Sequence, residues 1–140
     1  MPPVKAVLDT NVVISAFLKA GGREALVFRL GRSGAFVPVI SEALLDEYKR
    51  VLGRTGFGFD PQRVREELGA FRKQATLARP REQSARAAYD PADDMVLDCA
   101  LAGGAAYVVT GNTRHFPEEF QGIKIIRPRQ FLVVLAAELE

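Results

Sequence analysis

The chain has 140 residues, with 19 Lys and Arg against 17 Asp and Glu, one His, one Cys and no Trp. This length fits one domain over residues 1–140, and 48% hydrophobic with 26% charged residues argues against intrinsic disorder. The single cysteine, Cys99, excludes an intramolecular disulfide framework and a cysteine-based zinc cluster, and points to a reducing compartment.

Val4–Leu8 is an apolar run too short for a helix and bounded by Pro3 and Asp9, so it reads as a buried strand. Asn11–Leu18 follows as a helix ended by Gly21-Gly22, and Arg23–Leu30 as a second, closed by Gly31 and Gly34. Phe36–Ile40 is a β-branched run around Pro38, a second strand that the proline assigns to an edge or a terminal position. Ser41 then caps a helix to Leu52, which Gly53 stops. After a glycine-rich loop, Asp60-Pro61 opens a helix to about Lys73 with Val64, Leu68 and Phe71 as its apolar stripe. Asp90-Pro91 opens another to about Ala102, with Gly103-Gly104 as its stop. Ala106–Thr110 and Ile123–Ile126 are strands, and Pro128 starts a terminal amphipathic helix.

Strands alternating with helices predict an α/β fold on a parallel sheet, and ligands of such sheets bind beyond the carboxyl ends of the strands. Polar residues fall there: Asp9-Thr10-Asn11 after the first strand, the helix bearing Glu42, Asp46 and Glu47 after the second, and Thr110-Gly111-Asn112 after the third. Charge is blocked along the chain. Residues 49–86 hold ten bases and four acids, a net of +6, whereas residues 87–98 hold four aspartates and no base. A short acidic block beside a long basic one suits a metal site next to a polyanion-binding surface, although the basic block alone also fits a solvated helix face.

On the helix from Ser41, the apolar stripe centres near Tyr48; Glu47 lies about 100° from that centre and Asp46 about 160°, so Glu47 can lean into a cleft and Asp46 faces solvent. An exposed charge pairing with Arg50 or Lys49 is the simpler account of Glu47 from this helix alone. The helix from Pro91 is apolar nearly all round, yet carries Asp94 and Asp98 four residues apart on one face. Burying like charges is costly unless a cation neutralises them, which favours metal binding for both. Asp90 and Asp93 suit capping and the helix dipole, and Asp9 has an alternative as N-cap of the helix that follows it. Carboxylates at strand ends without His or Cys ligands suit a hard divalent cation, Mg²⁺ or Mn²⁺. His115 has no evident partner in the sequence and reads as structural, and Cys99 as a small core residue. Thr110 and Arg114 suit phosphate contacts or turn positions equally.

Val7-Leu8-Asp9-Thr10-Asn11-Val12-Val13-Ile14-Ser15-Ala16 resembles the opening of PIN domains, and Ser41-Glu42-Ala43-Leu44-Leu45-Asp46-Glu47-Tyr48 their second motif. Asp93-Asp94-Met95-Val96-Leu97-Asp98-Cys99-Ala100 and Val108-Val109-Thr110-Gly111-Asn112-Thr113-Arg114-His115-Phe116 resemble the third and fourth. The likeness is greatest to the VapC-like toxins of toxin–antitoxin systems. It implies a three-layer α/β/α fold with a central parallel sheet and a Mg²⁺- or Mn²⁺-dependent endoribonuclease. It carries catalytic roles to Asp9, Glu47, Asp94 and Asn112, metal ligation to Asp9, Glu47 and Asp94 with Asp98 as an added ligand, and substrate contacts to Asn11, Thr110 and Arg114. The fourth acidic position of the family holds Asn112 here, which lowers the site's charge by one and leaves a catalytically weak or inactive binding module as the alternative. The resemblance also implies single-stranded RNA as substrate, a small antitoxin as partner and a homodimer.

A haloacid-dehalogenase-type site needs an acid where Asn11 stands, which disfavours that reading. Lys5 and Asp9 interrupt the first apolar stretch, so no secretory leader is expected, and Phe131–Ala137 is far shorter than the roughly 20 residues of a membrane span. The expected location is cytoplasmic, with no membrane contact.

Overall fold

The computed structural model describes residues 3–54, 56–81 and 91–138. In chain order the elements are β1 (Lys5–Leu8), α1 (Thr10–Leu18), α2 (Arg23–Arg32), β2 (Val37–Ile40), α3 (Glu42–Leu52), α4 (Pro61–Gln74) and β3 (Thr76–Leu77). There follow α5 (Pro91–Gly103), β4 (Tyr107–Val109), a 3₁₀ turn at Thr113–His115, β5 (Glu119–Phe120), β6 (Ile123–Ile126) and α6 (Pro128–Glu138). The six strands form one sheet in the order β3-β2-β1-β4-β6-β5, flanked by helices. Five strands run parallel, and β5 alone pairs antiparallel, with β6.

Local chemistry sets most boundaries. The Ser41 hydroxyl accepts from Leu44 N at 3.1 Å and the Asp60 carboxylate from Gln62 N at 3.1 Å, so both expected N-caps form. Asp90, expected to cap α5, lies outside the described residues. Four details differ from the sequence expectation. Helix α2 runs through Gly31 to Arg32, and Gly31 is a packing rather than a stop residue, since a Cβ there would come within 2.9 Å of the Phe36 and Phe71 rings. Strand β2 is not at the edge, since β3 lies outside it. Pro38 is tolerated because Val37 N bonds Val4 O, which turns the Pro38 nitrogen toward the β3 side, and β3 pairs only with Val39 and Ile40. The sheet is mostly rather than wholly parallel. Strands β3 and β5 hold two residues each, too few for a periodic signal, and β5 turns into β6 through Gln121 and Gly122 at φ 49° and 86°.

The core sits on both sides of β1, β2 and β4. Helix α5 packs on all three of those strands and on α3. Its approach is close: a Cβ on Gly103 would lie 2.2 Å from Val39 Cγ1. Gly104, at φ +69°, then ends the helix. Cys99 is fully buried beneath the Val39 carbonyl, and burial pushes its thiol up to about 12. Helices α1, α2 and α4 share an aromatic cluster in which Phe28 stacks on Phe71 with centroids 4.7 Å apart, and Phe131 of α6 meets Phe36 edge-on at 4.9 Å. No helix among the described residues is long and apolar enough to cross a membrane.

Candidate active site

The site forms at the carboxyl ends of β1, β2 and β4, as the strand-end rule requires. Asp9 leaves β1 with its backbone N bonded to Val109 O at 2.9 Å, so its side chain starts from the centre of the sheet. Its carboxylate is buried, accepting from Thr10 N at 2.8 Å through one oxygen and from the Thr110 hydroxyl at 2.7 Å through the other. Asp9 is therefore the N-cap of α1 and also a fixed acidic group. Burial raises its carboxyl above the ordinary value; the two hydrogen bonds oppose that rise, the charge of Glu47 adds to it and His115 opposes it.

Thr10 ties the two acids together. Its hydroxyl donates to the Glu47 carboxylate, which also lies 3.8 Å from Arg50. Both accounts of Glu47 hold at once, since it leans into the cleft and keeps a long contact with Arg50, while Asp46 is exposed. Tyr48, one residue on, is fully buried and donates to the Leu8 carbonyl, bracing α3 against the residue before Asp9. Burial raises the Tyr48 phenol well above its usual value.

Thr110 joins this group to the loop after β4. Its hydroxyl donates to Asp9 and accepts from Asn112 N at 3.0 Å and from the Asn11 amide at 3.4 Å. The Asn11 side-chain oxygen in turn accepts from Gly111 N at 3.2 Å. Asn11 thus latches the 110–112 loop to the start of α1, and the Asn112 residue is exposed at the mouth of the site. Asp94 and Asp98 are both buried on α5 at 8% and 7% exposure, as the all-round apolar pattern of that helix predicts. Arg114 is exposed in the 3₁₀ turn.

Sequence reasoning missed Thr10 as a link, His115 as a neighbour and Arg127 altogether. His115 has Asp93 3.6 Å from its Nδ1 and acts electrostatically on Asp9, so it belongs to the site. Only Thr10 had a visible signal, its place beside Asp9; the Arg127 contacts span 14 and 16 residues and the His115–Asp93 contact 22, separations that no local pattern encodes.

Among the described residues, no three His, Cys, Asp or Glu side chains are grouped so that they could by themselves hold a metal ion. Asp9, Glu47, Asp94 and Asp98, expected to meet, therefore form no group of three of that kind. Mg²⁺ is commonly held by one or two carboxylates, with waters and substrate phosphates completing its octahedron. The donors here are hard carboxylate oxygens, and the desolvated Asp9 charge is one a cation would stabilise, so the residues fit that ion.

No curated protein matches the chain. Among solved structures, it is similar to a DNA-bound VapBC from Salmonella typhimurium, with a TM-score of 0.59 and 22% identity over 89% of this chain and 98% of that one. It is likewise similar to VapBC2 from Rickettsia felis bound to a fragment of promoter DNA, with a TM-score of 0.59 and 14% identity over the same shares. These likenesses establish the fold. The PIN domain matches residues 5–114, a span holding Asp9, Glu47, Asp94, Asp98, Asn112 and Arg114, and the chain belongs to the PIN-domain family.

Proposed function

We propose that this protein is a Mg²⁺- or Mn²⁺-dependent endoribonuclease that hydrolyses phosphodiester bonds of single-stranded RNA, and that it is the toxin of a toxin–antitoxin pair. The observation that carries the reading is the buried Asp9 carboxylate at the end of β1, linked through Thr10 to Glu47 and through Thr110 to the loop bearing Asn112. Membership of the PIN-domain family supports nuclease chemistry, and the VapBC fold neighbours support an antitoxin partner; the same reading takes the toxin as a cytoplasmic homodimer.

Asp9, Glu47 and Asp94 are the carboxylates assigned to the cation, with Asp98, one turn after Asp94 on α5, as an added ligand. A divalent cation bound there supplies charge neutralisation for the phosphate and a lowered pKa for the attacking water. The chain's own part is orientation. Hydrogen bonds from Thr10 N and Thr110 fix both Asp9 oxygens, so no rotamer search precedes binding. Glu47 and the Asn112 amide oxygen are the acceptors that orient the water for in-line attack. The water oxygen bonds to phosphorus, the bond to the 3′ oxygen breaks and a proton passes to that oxygen, leaving a 5′-phosphate and a 3′-hydroxyl. Asn11 and Thr110 hold the loop that shapes this side of the cleft, and Arg114 faces the strand's phosphates.

Cleavage of single-stranded RNA with Mg²⁺ or Mn²⁺ tests this, comparing wild type with Asp9→Asn and Asp94→Asn. Each substitution is expected to lower the rate at least about a hundredfold, about 3 kcal/mol of lost transition-state stabilisation. Cleavage that survives both would sink the assigned site. A folded wild type that cleaves no RNA with any divalent ion would favour the binding-only alternative, which the Asn112 substitution in the fourth motif suggests.

A further inference from the structure

The carboxylate site repels every phosphate of a strand except the one a cation neutralises, so a strand lying across it needs fixed positive charge nearby. The structure holds such charge on the Thr110 side of Asp9. A cleft of about 310 Å³ is lined by Gly111, Asn112, Thr113, Arg114, His115 and Arg127. Three basic residues line it and no carboxylate does. It begins one residue beyond Thr110, the partner of Asp9, and shares Gly111 and Asn112 with a second cleft that runs to Asn11 and Ser15.

Arg127 distinguishes this cleft from a chance collection of surface bases. It follows β6, whose register places Ile126 opposite Val109, so the topology brings it to the same sheet end as Thr110 although the two are far apart in sequence. Its Nη1 donates to Gly111 O at 3.3 Å and its Nη2 to Thr113 Oγ1 at 3.3 Å. Those bonds use two of the five N–H donors of a guanidinium and leave the others for a ligand, on a plane already oriented. Its backbone N is already bonded to the Gln130 side chain at 2.9 Å, which leaves the guanidinium as the donor Arg127 offers a ligand.

We propose that Arg127, with Thr113, Arg114 and His115, forms a subsite for a backbone phosphate of a nucleic-acid strand, next to the phosphodiester that is hydrolysed. The location beside the scissile bond rests on the nuclease reading above; the binding of a phosphate does not. Arg127 is a positioning residue, holding the strand and the 111–113 loop in register without touching the reacting atoms. Phosphate is common to RNA and DNA, so the subsite by itself reads neither sugar nor base.

The test is binding of a short fluorescent single-stranded RNA, and of the DNA of the same sequence, with EDTA present so that nothing is cleaved. Arg127→Ala is expected to weaken binding of both about tenfold and to lower the slope of log affinity against log salt by about one. Arg127→Lys is expected to restore the slope and only part of the affinity, because charge returns without the fork. In cleavage assays KM is expected to rise with kcat changed less than about twofold. Arg127→Gln replaces the alanine variant if the latter does not fold. Unchanged affinity and salt slope overturns the subsite, as does a fall in kcat with binding intact, which would mean only loop support. A loss confined to RNA also overturns it, since it would point to the 2′-hydroxyl. Asp9→Asn separates the two readings: if it still cleaves, the assigned nuclease site fails while the Arg127 binding data still decide the subsite.

Discussion

Burial lifts the Asp9 carboxyl because the charged form loses more hydration than two hydrogen bonds return. The folded state therefore binds this proton more tightly than the unfolded state, whose value is the ordinary 3.8. Stability from this group is unaffected below that value and is lost as pH rises through the raised folded value. Asp9→Asn removes the charge, so in EDTA it is expected to melt above wild type at neutral pH, with the advantage vanishing near pH 3.5 on a series of thermal melts. The same substitution should abolish stabilisation by Mg²⁺ or Mn²⁺, which in wild type reaches about 2.7 kcal/mol at a hundred times Kd. A melting temperature unchanged by Asp9→Asn would mean that the buried charge costs nothing. Tyr48 makes the opposite case. Its hydroxyl serves the Leu8 carbonyl just beyond the point where the registered β1–β2 pairing ends. Tyr48→Phe leaves that carbonyl without its donor and is expected to cost about 1–3 kcal/mol in urea unfolding.

Glycines with different surroundings test the packing of the elements. Gly103 ends α5 where a Cβ would meet Val39 Cγ1 at 2.2 Å, whereas Gly69 lies exposed inside α4 with nothing within 4 Å. Gly103→Ala is expected to cost about 1–3 kcal/mol because α5 must move off the sheet. Gly69→Ala is expected to stabilise by up to about 1 kcal/mol through helix propensity. Chemical denaturation of both variants reads the contrast, and a neutral Gly103→Ala would show that α5 can shift freely. The helices were legible in the sequence because each carries its own stop and start: Ser41, Asp60-Pro61, Gly53 and Gly104. Strands β3 and β5 were not, since two residues hold no period and only the neighbouring strand makes them strands.

Over the whole molecule the opposed charge blocks acquire separate places. The bases of residues 49–81 are all exposed, on α3, α4 and the segments around them; Glu82 and Arg86, the rest of the basic block, lie outside the described residues. Exposure leaves them available to a polyanion. Binding of single-stranded RNA in EDTA is expected to weaken steeply between about 50 and 200 mM salt, measured by fluorescence anisotropy; a shallow slope would assign these bases to solubility alone. Asp94 and Asp98 of α5 are instead buried, as an apolar helix with two in-line acids requires, and Asp93 in its first turn is half-buried. By itself the sequence determined the α/β class, most helix boundaries and the strand-end positions of Asp9, Thr110 and Asn112, because periodicity, capping and the order of elements are local properties. The tertiary structure alone decided that Thr10 bridges Asp9 to Glu47, that His115 neighbours Asp93 and Asp9, and that Arg127 meets the 111–113 loop. Those contacts depend on β1 lying between β2 and β4, with β6 beside β4. Strand order is fixed by how the helices pack across the sheet, an outcome of the whole chain that no single segment contains.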